Sequence, residues 1–209
     1  MHFRPAISQD APQLAELIHI ADQAHYPTSG YAFSIGGTRT HQIDELTKLI
    51  HTHAPSQFHY SHFDVAVTRD GVLAASVAAF DRTDANSHLR GALKEIGWTN
   101  DHIDTLGEQL APFDGSYPED EPGSWTIEHV ATLASFRGQG LIHHLLAQAI
   151  ERGRTKGFTL AVVDVFDGNR KAQAVYEAAG FRPITAFGHV PLRQIFNRDP
   201  LIRCQRSIG

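Results

Sequence analysis

The chain is poor in the features that would take it out of the ordinary run of globular proteins. It has a single cysteine, Cys204, so an internal disulfide is excluded. A charged and apolar N-terminal signal is missing, as is any apolar run long enough to span a bilayer, and the expectation is a cytoplasmic protein without a membrane partner. Lysine and arginine are scattered, and a net charge of -5 offers no basic field to a nucleic-acid backbone, so no nucleic-acid partner is expected. Internal repeats and low-complexity tracts are absent as well. What is there is 42% hydrophobic residues in 209, enough for one sizeable core, and the expectation is a single domain spanning residues 1–209. Histidine is the one excess, and His51, His53, His59 and His62 crowd a short stretch. Pro55 interrupts that stretch, no cysteine lies near it and no His-Glu-x-x-His pattern occurs, so no metal site is expected.

Hydrophobic spacing divides the chain into elements. Residues 2–5 read as a strand, and Ser8 or Asp10 then starts a helix with Leu14, Leu17, Ile18 and Ala21 on one face. A second helix carries Ile43, Leu46 and Ile50, with Pro55 as its stop. Residues 63–68 and 72–80 form a hairpin turned by Arg69-Asp70-Gly71. Residues 82–123 read as a helical insertion, with weak signals at Leu89/Leu93/Ile96 and Ile103/Leu106/Leu110 and an acidic end at Glu119, Asp120 and Glu121. From Trp125 the pattern becomes strand, turn, helix, strand, helix, strand. The stripe Leu141, Ile142, Leu145, Leu146, Ala149 and Ile150 marks the first of these helices, and the run Leu160-Ala161-Val162-Val163 suits a parallel strand buried on both faces. Residues 182–189 and 201–207 close the chain as two strands, limited by Pro191 and Pro200.

A strand followed by a glycine turn and a helix presents unpaired backbone N–H groups and the positive end of a helix dipole, which together suit a phosphate. Arg137-Gly138-Gln139-Gly140-Leu141-Ile142 is such a turn. It lacks the Gly-Lys-Ser/Thr of a P-loop, and it lacks the third glycine and distal acid of a dinucleotide fingerprint. A purely structural glycine turn is the remaining alternative. The second informative segment is residues 169–181, a short helix with Asn169 before it, Tyr176 within it and Gly180-Phe181 at its exit.

Together the two segments resemble the GCN5-related N-acetyltransferase (GNAT) superfamily. Residues 137–142 are similar to its pyrophosphate loop, Arg/Gln-x-x-Gly-x-Gly/Ala, and residues 169–181 to its Asn-x-x-Ala-x-x-Leu/Val-Tyr-x-x-x-Gly-Phe segment at Asn169, Ala172, Val175, Tyr176, Gly180 and Phe181. One departure is Ile142 where the superfamily has Gly or Ala; another is Ala134 where a proline often precedes the loop. Phosphate binding survives at Ile142 if its side chain turns into the core.

The resemblance implies a mixed α/β fold: a central, mostly antiparallel sheet that splays where the donor enters, with helices on both faces. It implies acetyl-coenzyme A as donor, a primary amine of a small molecule or protein as acceptor, and direct attack in a ternary complex. The donor would be held by Ala131, Thr132 and Leu133 through the backbone, by residues 137–142, and by Asn169 and Ala172. Tyr176 would be the general acid for the leaving thiolate, and the Leu133 N–H the donor to the carbonyl oxygen. Glu128 is the expected base. Strand alternation puts it on one face with Thr126 and Val130, and His129 on the other unless a bulge intervenes. Residues 82–123 are expected to wall the acceptor pocket. A non-catalytic acyl-coenzyme A binding module is the alternative reading, and a homodimer is left open.

Overall fold

A computed structural model describes residues 1–113, 123–187 and 197–209. The expected Glu119-Asp120-Glu121 cluster, Pro191, and residues 188–189 of the penultimate strand lie outside them. The helices are α1 (Ala11–Gln23), α2 (Tyr31–Ser34), α3 (Arg39–Ile50), α4 (Arg82–Glu95), α5 (Asn100–Leu110), α6 (Leu141–Thr155) and α7 (Arg170–Ala178). The strands are β1 (His2–Pro5), β2 (Phe63–Val67), β3 (Leu73–Asp81), β4 (Ser124–Thr132), β5 (Leu160–Phe166), β6 (Arg182–Phe187) and β7 (Leu201–Ser207). They form one sheet in the order β1-β2-β3-β4-β5-β7-β6. Among the described strands only β4 and β5 run parallel, so the sheet is mixed and mostly antiparallel, as the resemblance implied.

Period-two alternation in the strands sends side chains to two separate cores. On one face Val65, Phe63, Phe80 and Ala78 meet Leu14, Leu17 and Ile18 of α1, Leu46 and Ile50 of α3, and Leu93 of α4. On the other, Ala66, Val77, Ile127 and Val163 meet Leu145, Leu146, Ala149 and Ile150 of α6. Each buried leucine of the α6 stripe contributes about 2 kcal/mol of transfer free energy. Between β3 and β4 the described residues form α4 and α5, and α4 starts at Arg82 with no linker after Asp81. Asp81 caps α4, its side chain accepting the Thr83 and Asp84 N–H groups.

Two boundaries differ from the sequence reading for identifiable reasons. The second helix stops at Ile50 and not at Pro55, because the Thr52 hydroxyl and the His51 N–H take its last carbonyls. At the start of α1, Asp10 reaches backwards: its carboxylate accepts the Ile7 N–H at 2.9 Å and Arg4 at 2.6 Å, which winds Ser8–Asp10 into a 3-10 turn.

Helix α6 lies very close to the sheet. A Cβ placed on Gly153 would be 2.5 Å from Trp125 Cδ1, and the ring cannot step aside, since its Nε1 donates to the Ala149 carbonyl at 2.8 Å. Gly153→Ala should therefore cost about 2 kcal/mol by overpacking. Urea unfolding measures this directly; an unchanged midpoint and slope would show that the helix can retreat.

Candidate active site

The parallel ladder between β4 and β5 is short. It runs from Ser124 opposite Leu160 to Ile127 opposite Val163, after which the strands part. The candidate site is built around that opening, from two faces.

On the α6 face, the strand–turn–helix segment has the expected form. Gly138 and Gly140 sit at φ 77° and 73°, the left-handed region that costs an L-residue about 1 kcal/mol or more. Nothing lies within 4 Å of where a Cβ would be at either glycine, so the turn faces open space with the first N–H groups of α6 behind it. This cradle fits a pyrophosphate. Arg137 and Gln139 are exposed beside it, and Arg137 Nε donates to the Thr132 carbonyl at 3.3 Å. Leu141 is buried and Ile142 packs against the core behind the helix, so the departure at Ile142 leaves its N–H in place. Asn169 caps α7 by accepting the Ala172 N–H at 3.3 Å.

Tyr176 is buried among the residues of the same core, its ring edge-on to Phe181 at 6.2 Å. Burial, with the neighbouring Cys204 and Asp164, pushes the phenol well above its ordinary value, so it keeps its proton. Among the described residues its hydroxyl has no hydrogen-bond partner. Cys204 is buried on β7, and burial raises its thiol too.

The β4 strand corrects two expectations. Leu133 cannot offer its N–H to a carbonyl oxygen in the opening, because that group donates to Ala74 of β3 at 2.9 Å. Since main-chain groups alternate between edges, Thr132 is the residue whose N–H faces the side that β5 leaves. The bulge is the second correction. Ser76 is opposite Ala131 and Ala78 opposite Glu128, so His129 and Val130 together face Val77, and His129 takes φ 48°. Glu128 and His129 consequently share a face, while Val130 packs on the α6 side.

That shared face is opposite the glycine turn. His129 is stacked between Phe58, 5.6 Å away, and Phe63, 5.9 Å away. Its Nε2 is buried, has no hydrogen bond among the described residues, and lies 3.9 Å from Glu128 Oε2. The other Glu128 oxygen, Oε1, accepts Arg82 Nη2 at 2.6 Å. The same Arg82 nitrogen is 3.5 Å from Asp164 Oδ2, and Arg203 grips Asp164 with two bonds of 2.9 Å. Asp22, at the end of α1, accepts Ser29 and the Gly30 N–H and lies near Arg198. Tyr26 bonds Asp199, and Arg198 stacks over Tyr26 and Phe166. Sequence reasoning found Glu128 but not His129, Arg82, Asp164, Arg203 or Asp22. The bulge signal is weak in the sequence, and the other four are brought together only by tertiary structure.

The crowded histidines lie elsewhere and are locally engaged. His53 meets Glu95, His59 bonds Ser61, and His62 Nε2 bonds the Pro55 carbonyl. Among the described residues no group of three or more His, Cys, Asp or Glu is arranged to hold a metal ion, and no helix is long and apolar enough to cross a membrane.

Residues 35–181 match the acetyltransferase (GNAT) family, more than half of the chain, and the chain belongs to that family. The fold agrees with solved structures at low identity. An N-acetyltransferase from Staphylococcus aureus Mu50 superposes with a TM-score of 0.74 at 16% identity, covering 99% of this chain and 100% of that one. A ribosomal-protein-alanine N-acetyltransferase from Brucella melitensis gives 0.58 at 17%, covering 99% of both chains. A spermidine N-acetyltransferase variant from Vibrio cholerae gives 0.58 at 13%, covering 100% of this chain and 95% of that one. No curated protein matches the sequence.

Burial holds the His129 imidazole below its ordinary value of 6.5, against the pull of Glu128 and Asp22. A folded pKa below the unfolded one means that the stability from keeping His129 neutral is complete above the unfolded value. It is lost as the pH falls through the folded one. Unfolding free energy should thus drop as the pH falls below the ordinary value of 6.5, and His129→Leu should make the drop smaller. Burial holds down His59 and His62 as well, so some slope will persist. An identical drop in the variant would show that His129 is not the group responsible.

Proposed function

We propose that the protein transfers an acetyl group from acetyl-coenzyme A to a primary amine, by direct attack in a ternary complex. The observation that carries this reading is the opposition of two sets of residues across the β4–β5 opening. The glycine turn and Tyr176 lie on one face, and Glu128 and His129 on the other. In this reading residues 1–209 form one domain and residues 82–123 wall the acceptor side.

The donor supplies an activated thioester carbonyl; the chain does the rest. Backbone N–H groups of residues 138–142 hold the pyrophosphate, with Arg137 as counter-charge and Gln139 beside it. Ala131, Thr132 and Leu133 line the pantetheine arm as a strand edge, with the Thr132 N–H facing it. Asn169 and Ala172 border it from α7. An amine attacks only when neutral, so its proton must go to the enzyme. Glu128 is the proposed base, and it acts with His129. Nε2 of His129, buried and without a hydrogen bond among the described residues, lies 3.9 Å from that carboxylate and takes on the proton that Glu128 removes from the amine. Tyr176, kept protonated by burial, gives its proton to the departing thiolate.

Initial rates should show acetyl-coenzyme A consumed only with an amine present. The natural panel is a polyamine, free amino acids and a peptide with an N-terminal alanine, since the structural neighbours include enzymes named for spermidine and for a ribosomal protein's alanine. Tyr176→Phe and Glu128→Gln should each lower kcat about 100-fold while coenzyme A still binds. Binding without thiol release for every amine would instead favour a non-catalytic acyl-coenzyme A module.

A further inference from the structure

The register of β4 and β5 runs Ser124–Leu160 to Ile127–Val163, so the next pair in line would be Glu128 opposite Asp164. Two carboxylates directly opposed on one face repel, which gives a side-chain reason for the ladder to stop there. Repulsion alone would leave the width of the opening unset. Between the two carboxylates, however, stands one nitrogen, Arg82 Nη2, at 2.6 Å from Glu128 and 3.5 Å from Asp164. Asp164 is anchored in turn by Arg203 of β7. The charges alternate Glu128, Arg82, Asp164, Arg203, and their side chains are only 30%, 15%, 13% and 5% exposed, so water screens them little.

We propose that Arg82 is a positioning residue. It ties β4 to β5 where their backbones no longer bond, and so sets the width of the slot that receives the donor's pantetheine arm. It does this from the first residue of α4, so the helical segment between β3 and β4 takes part in donor binding as well as walling the acceptor side. The inference rests on the acyl-transfer reading of the same opening. Because a single nitrogen meets both carboxylates, a lysine ammonium can do the same work, whereas a neutral side chain cannot.

The test compares the wild type with Arg82→Gln and Arg82→Lys, using calorimetric titration of coenzyme A and steady-state kinetics with acetyl-coenzyme A varied. Arg82→Gln should bind coenzyme A at least tenfold more weakly and lose about 100-fold in kcat/KM for the donor, the scale expected when reacting groups are misplaced by about 1 Å. Arg82→Lys should recover both to within about threefold. Coenzyme A affinity unchanged in Arg82→Gln would overturn the tie, and so would a loss confined to the acceptor KM, which would make Arg82 an acceptor contact. If Arg82→Gln does not fold, Arg82→Lys decides alone: affinity within threefold of wild type supports the tie, and a loss above tenfold overturns it. A wild type that binds no coenzyme A removes the donor reading and the tie together, an outcome distinct from each of the others.

Discussion

Parallel hydrogen bonding between β4 and β5 ends at Ile127 and Val163, and everything at the candidate site is arranged around that ending. Before it, the two strands are an ordinary buried ladder between two cores. After it, β5 keeps its pairing with β7 as far as Phe166, while β4 keeps its pairing with β3 as far as Thr132. Each strand therefore retains one satisfied edge and turns the other into a slot. The helices then decide what each mouth of the slot presents: α6 and α7 bring a glycine turn and a phenol, and α1 and α4 bring charges.

Charge inside this fold is tolerated by pairing rather than by exposure. The chain of Glu128, Arg82, Asp164 and Arg203 is one instance. Arg152 and Asp64 are another, 3.1 Å apart, with Arg152 also donating to the Ser61, His62 and Ala79 carbonyls. Burial pushes Asp64 up and Arg152 down, the cost of removing both from water. Arg152 fixes α6 to the start of β2, and Arg82 fixes α4 to the parted strands. Helices α4 and α6 are thus each pinned by one arginine whose carboxylate partners lie in the sheet.

Much of this was legible in the residues. Local periodicity suffices for α6, whose stripe from Leu141 to Ile150 is buried except for the half-buried Ile142, and for the hairpin around Gly71, whose turn takes φ 82° as its sequence suggests. The glycine turn and the Asn169–Phe181 segment were legible because each is a contiguous stretch with its own backbone logic. The charge chain was not, since residues 82, 128, 164 and 203 share no local pattern and meet only through sheet order. His129 was missed for a subtler reason. Alternation assigns faces correctly only while register is unbroken, and the break is set by how β4 lies against β3, not by β4 itself. The same applies to the Leu133 N–H, whose partner Ala74 is on the neighbouring strand.

The bulge at His129 has a consequence for how such a pair of side chains can arise or be lost. Placing two consecutive residues on one face of a strand is a matter of chain length, not of residue type. No substitution at 128 or 129 can undo it, whereas removing one residue between Glu128 and Ala131 would restore plain alternation, leaving Glu128 opposite Ala78 and sending the one residue that remains opposite Val77 to the α6 face. The identities at these two positions are thus open to gradual change, but their juxtaposition is inherited as a frame, gained or lost in one step.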